Sequence, residues 1–225
     1  MSDVIVLKLK ARLSKLPPRA AVAFAVRCAR RFEPLIIRDF DLWGVEELRV
    51  AIWDIDTALT RLEDWCKGVG DIGTIVTAVM ALGSSANRIK SNAFSISAAI
   101  VETFIVASTA TAAANRAVVV GNYSSISGVY AEAAVEAAAS YESGPLSSFK
   151  SENNAAISRD IVLLSRVVSE TSDGLGTFID PSDVGPIGPL WGDSPPQWYP
   201  ESRQAFDQFL GRAASSNQAS DRIRW

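Results

Sequence analysis

No histidine occurs among the 225 residues. Histidine is the commonest general base and a frequent transition-metal ligand, so its absence removes His-based triads and most zinc sites at once. Cys28 and Cys66 stand apart, each in an apolar helical pattern and without CxxC spacing, which predicts two buried thiols in a reducing compartment. Carboxylate chemistry needs acids gathered in a cleft, and the nearest approach to that is Asp54, Asp56, Glu63 and Asp64. Asp54 and Asp56 fall on different faces of a helix, while Glu63 and Asp64 flank an apolar seam beside Arg61, so the set reads as a solvated, ion-paired face. The chain has no GxxxxGK[ST] phosphate loop, no GxGxxG after a strand and no GxSxG elbow. The Asp residues between 171 and 200 do not follow the twelve-residue alternation of an EF-hand loop. These residues predict no catalytic site, no metal site and no cofactor.

Groups suited to binding are easier to find. Arg27, Arg30 and Arg31 can grip phosphate or carboxylate, although on an amphipathic helix they read first as a solvated basic face. Trp191, Trp198 and Tyr199 lie near Asp180, Asp183 and Asp193 in a late, irregular segment. Aromatics of this kind serve as interface anchors, and they equally hold an irregular segment onto a helical body. The candidate partner-binding residues are therefore Trp191, Trp198, Tyr199, Asp180, Asp183, Asp193, Arg27 and Arg31.

The elements that must position these groups are helices. A hydrophobic content of 48% supports a substantial core in a single domain spanning 1–225. Pro17 and Pro18 suit the first turn of a helix that runs through Phe24 and Cys28 to about Phe32, with Pro34 as its stop. Val45, Leu48, Ile52, Ile55, Leu59, Leu62 and Cys66 keep a three-four spacing, the seam of a helix packed along its length and ended by Gly68 and Gly70. A further helix is predicted from about Thr74 to Arg88. The longest uncharged runs are shorter than a membrane span and carry Ser, Thr, Gly and Asn, so no transmembrane segment is expected, and the N-terminus does not read as a secretory signal.

After residue 91 the sequence repeats itself. Asn-x-x-x-Ile-Ser occurs at Asn92–Ser97, Asn122–Ser127 and Asn153–Ser158, at offsets of 30 and 31 residues. Asn accepts the free N–H groups of a helix's first turn, so these three read as N-caps, each opening a helix of roughly twenty residues. Successive helices joined by short turns pack antiparallel, which predicts an all-α stack of seven to eight helices, as a bundle or a short solenoid.

From Thr171 to Pro200 glycine and proline exclude helix over most of the segment, yet it holds Ile179, Ile187, Leu190 and the tryptophans. It is expected to lie extended against the helical body of 1–170, followed by a last helix from Glu201 to about Ala214 and a polar tail to 225.

Charge is uneven along the chain. Residues 1–38 carry nine basic residues against two acids, net +7, and residues 39–66 carry eight acids against two basic residues, net −6. The simplest reading is that a basic pair of helices packs beside an acidic one and the fields cancel; a bipolar docking face is the alternative. The overall charge of −3 makes neither nucleic acid nor an anionic membrane a natural bulk partner.

The stretches Leu16-Pro17-Pro18-Arg19-Ala20-Ala21 and Cys28-Ala29-Arg30-Arg31-Phe32-Glu33-Pro34-Leu35, followed by long Ala-rich helices, resemble the all-α immunity proteins of bacterial polymorphic toxin systems over the first two-thirds of the chain. The resemblance implies a non-enzymatic, cytoplasmic protein whose partner is a cognate toxin. The alternative is a small-molecule-binding protein or enzyme with a carboxylate-based site between the helical body and the C-terminal loop.

Overall fold

The computed structural model describes residues 11–13, 15–38, 46–91, 149–169 and 171–221. Among these the regular secondary structure is entirely helical. A short helical turn at 11–13 precedes α1 (Pro18–Arg38), α2 (Glu46–Lys67) and α3 (Ile72–Ser91), and later come α4 (Phe149–Val167) and α5 (Tyr199–Asp221). Of the three repeat copies, Asn92–Ser97 and Asn122–Ser127 lie outside the described residues, and Asn153–Ser158 lies inside α4.

α1 is the axis of the fold and packs against α2, α4 and α5. Every side chain from Ala20 to Ala29 is buried, so this stretch of the helix is enclosed on all sides. Five alanines in that stretch let neighbouring backbones approach closely, while Phe24, Phe32, Leu35 and Ile36 supply the bulk. Pro34 does not end the helix, as its ring and missing N–H would suggest. Phe32, Leu35 and Ile36 on either side of it are fully buried, and this tertiary burial holds the last turn helical through the lost bond.

α2 follows the predicted seam: Ile52, Ile55, Leu59, Leu62 and Cys66 are all buried. Its end is a Schellman motif, in which the Gly68 N–H donates to the Trp65 carbonyl and the Val69 N–H to the Asp64 carbonyl, with Gly68 at φ +79°. Asp71 and Thr74 then form a reciprocal cap on α3: the Thr74 N–H donates to Asp71 Oδ1 and the Asp71 N–H to Thr74 Oγ1. The turn between is so short that α2 and α3 pack as antiparallel neighbours along their length. α3 buries Ile75, Ala78 and Leu82 and leaves Val76, Val79 and Met80 exposed.

Asn153 is not an N-cap. α4 begins at Phe149, which places Asn153 in the helix interior, fully buried, with no hydrogen-bond partner for its side chain among the described residues. α5 starts at Tyr199 and continues to Asp221, past the expected end near Ala214, burying Phe206 and Phe209.

Between α4 and α5 the segment 171–198 is non-helical and lies against α1 and α4, with Ile179 and Ile187 in the core and Leu190 buried beside them. Its entry is fixed at Gly176, whose carbonyl accepts a hydrogen bond from Arg19 Nη1 at 2.6 Å. Gly176 has φ +85°, and a Cβ there would stand 2.4 Å from Pro17 Cβ. Gly176→Ala is expected to cost about 1–3 kcal/mol, read as a lower urea midpoint at unchanged m-value. Gly211→Ala, at an open helical position, is the control and is expected to raise stability by about 0.5–1 kcal/mol.

Candidate functional site

Asp160 sits at a core position of α4, in phase with Ile157, Ile161 and Leu164, and is completely buried. A carboxylate there requires partners, and three guanidiniums supply them. Arg27 donates from Nε to Asp160 Oδ2 at 2.9 Å and from Nη2 to Oδ1 at 3.2 Å, a bidentate pair. Arg31 Nη2 donates to Oδ2, and Arg159 Nη2 to Oδ1 at 3.0 Å. Burial alone would raise the Asp160 carboxyl, but the charge of Arg31 and the hydrogen bonds and charge of Arg27 outweigh it and hold the group below the usual carboxylate range.

The remaining donors of these arginines go to the main chain of the late segment. Arg27 Nη1 donates to the carbonyls of Pro181 at 2.8 Å and Gly188 at 3.0 Å, and its Nη2 to that of Pro189 at 3.1 Å. Arg31 donates from Nε and Nη2 to the Leu190 carbonyl, at 3.1 and 2.9 Å. Arg159 Nη2 reaches the Pro189 carbonyl at 2.5 Å. The solvated basic face expected for these residues is therefore corrected: Arg27 and Arg31 are 1% and 0% exposed, and what they grip is the chain's own carboxylate and loop. Cys28, beneath Arg31, is a free thiol pushed up to about 12 by burial, and burial also raises Cys66.

A second cluster joins α1, α2 and α5. Arg30 holds Glu33 at 2.7 Å, Asp56 at 2.5 Å and Glu63 at 2.7 Å, so two acids of α2 answer this one basic residue of α1, while Arg19, Arg27 and Arg31 are paired with Asp173 and Asp160 instead. Arg203 of α5 reaches Glu33 from the other side at 3.5 Å and also pairs with Asp207. Here carboxylates outnumber guanidiniums. Glu33 is the most buried of them, and burial, with Asp56 and Glu63 nearby, raises it to about 7 despite Arg30 and Arg203.

The aromatic candidates are brought together. Trp191, Trp198 and Tyr199 pack edge to face with centroids 5.6–5.7 Å apart, over Phe149, which also meets Phe32 of α1 at 5.2 Å. Trp198 Nε1 donates to Glu152 Oε2 at 3.2 Å, and the Arg31 guanidinium lies 5.7 Å from the Trp191 ring centre. Outside this cluster an open groove of about 660 Å³ runs between α4 and the segment 187–197. Glu152, Arg159, Trp191, Asp193 and the Pro195-Pro196 pair line it. Arg159 Nε and Trp191 Nε1 at its wall have no hydrogen-bond partner among the described residues.

Of the other predicted residues, Asp193 is exposed in the groove, Asp183 is exposed and braces the loop, and Asp180 braces the loop and ties it to α2. Asp180 accepts from the Ser182 N–H and pairs with Lys67, and Asp183 accepts from the Leu190 N–H at 2.6 Å. Sequence reasoning missed Asp160, Arg159, Glu152 and the Glu33–Arg203 pair. One signal for Asp160 was present: an acid in the apolar phase of Ile157, Ile161 and Leu164. Among the described residues no group of three or more Cys, Asp and Glu is arranged to hold a metal ion, and no helix is long and apolar enough to cross a membrane.

No protein family, curated protein or solved structure matches the chain. Asp160→Asn, which leaves three guanidiniums without their shared charge, is expected to cost about 3–5 kcal/mol and to expose the segment 171–198 to limited proteolysis before global unfolding. Glu33 retains its proton in the folded protein between about 4.5 and 7, where the unfolded chain has released it. The stability it contributes is thus present at the acid end and lost as pH rises through about 7. Glu33→Gln is expected to flatten the decline of the thermal midpoint measured from about pH 4.5 to 7.

Proposed function

We propose that this protein is a non-enzymatic protein-binding module whose binding face is the groove between α4 and the segment 187–197. In its specific form the reading is an immunity protein that occupies a cognate toxin in the bacterial cytoplasm, a body of seven to eight stacked helices presenting one irregular segment. The observation that carries it is the groove itself: an open channel with an aromatic wall, a Pro-Pro edge and charged rims, held rigid from beneath by the buried arginines. Interfaces concentrate their energy in aromatic anchors set in such preorganised surroundings. Buried groups with shifted pKa values, Asp160, Glu33, Cys28 and Cys66, do not line it. They are engaged within the fold, which favours binding over catalysis.

Ala155 is exposed on the groove wall, so a long charged side chain there obstructs the channel without entering the core. The full chain, tagged and cross-linked in its native cell, is expected to retain one stoichiometric protein partner. Ala155→Arg is expected to weaken the purified complex at least tenfold in Kd at unchanged thermal midpoint. Recovery of no stoichiometric partner overturns the binding reading, and equal affinity of the variant overturns the placement at this groove.

A further inference from the structure

The basic block at the N-terminal end is only partly answered within the fold. Arg19 is taken by Asp173 and the Gly176 carbonyl, Arg27 and Arg31 by Asp160, and Arg30 by Glu33, Asp56 and Glu63. Among the block's other described side chains, Arg12 and Lys15 are both exposed, and no described carboxylate pairs with either. They do not stand alone. With Arg166 of α4 they line a second cleft of about 500 Å³, whose other walls are Leu16, Val162, Ser165 and Val168.

Two features set this cleft apart from the groove at Trp191. It has three cations and no acid among its lining residues, whereas the groove carries Glu152 and Asp193. Its walls between the cations are aliphatic. Arg166 lies in the last turn of α4, where the partial negative charge of the helix end offsets at most about half of one cation. Ser165 is neutral and its hydroxyl proton is committed to the Ile161 carbonyl at 2.7 Å. Unanswered like charges in one concavity repel each other and focus a positive field, and a bound anion removes that repulsion.

We propose that this cleft binds an organic phosphate, with the phosphate group on Arg12, Lys15 and Arg166 and an apolar body against Leu16, Val162 and Val168. The charge argues for a phosphate monoester over a carboxylate, because three cations exceed what a single negative charge balances and arginine forks match phosphate oxygens. The volume is in the range of small-ligand sites and exceeds what a bare phosphate fills, so the aliphatic wall has an occupant in the ester's organic part. This site is independent of the groove at Trp191.

Calorimetric titration of the full chain with hexyl phosphate, inorganic phosphate and hexanol tests it. Hexyl phosphate is expected to bind one per chain, at least tenfold more tightly than inorganic phosphate, with hexanol giving no saturable heat. Arg12→Glu combined with Arg166→Glu is expected to weaken hexyl phosphate at least tenfold, and Lys15→Glu alone is the second variant should the first lose helicity. Co-sedimentation with phosphatidylcholine vesicles containing phosphatidic acid identifies the source. Binding lost in the variants assigns the phosphate to a lipid headgroup, and absence of vesicle binding while hexyl phosphate still binds assigns it to a free ester. No saturable hexyl phosphate binding, an affinity equal to that of inorganic phosphate, or binding unchanged in the variants overturns the proposal.

Discussion

The carboxylate of Asp160 is the point on which the rest of the structure depends. It is buried at the contact of α4 with α1, and it is bound by three guanidiniums whose other donors hold the segment 181–190. Removing such charges from water is costly, and the arrangement is stable only because nearly every donor finds an acceptor. Arg27 shows the match most fully: its five N–H groups meet two carboxylate oxygens and three main-chain carbonyls.

The proline content of the late segment has a physical consequence here. Each proline removes a main-chain donor and leaves its carbonyl, so a Pro-rich segment carries more acceptors than donors. Pro181 and Pro189 both offer carbonyls to these arginines. A segment that cannot form a helix and cannot pair as a strand is thereby fixed by side chains of the helices beneath it. Gly192 completes the fit, with φ +80° and with Arg159 Nη1 standing where a Cβ would come, so a larger residue would strain the backbone and push that guanidinium aside. The aromatic wall and the open groove follow from this, since Trp191 is placed directly after the held carbonyls and packs on Phe149 at the start of α4.

Charge is also apportioned by packing. The acids of α2 neutralise Arg30 across the helix contact, the loop and Asp160 take Arg27 and Arg31, and Arg203 brings α5 onto Glu33. Arg19, Arg27, Arg30 and Arg31 of the basic block are thus taken up internally. Of its other described side chains, Arg12 and Lys15 reach the surface and meet Arg166 around an aliphatic cleft.

The sequence by itself determined the elements whose causes are local. The seam from Ile52 to Cys66 is legible because apolar residues at helical spacing need only a helix and something apolar beside it. The end of α2 at Gly68 and the loss of helix after 171 are legible for the same reason, as glycine and proline act on their own backbone. The buried thiols follow from apolar neighbours in the same helix. Tertiary structure alone decided the rest. Arg27 lies 133 residues from Asp160, and no local pattern tells a charged side chain on a helix that its partner is buried rather than solvent. Pro34 within α1 and Asn153 within α4 were misjudged for a related reason: both residues have strong local preferences for helix boundaries, and the burial around them outweighed those preferences. Local chemistry fixed where helices and loops fall, and long-range charge pairing fixed how the loop is held and which surface it forms.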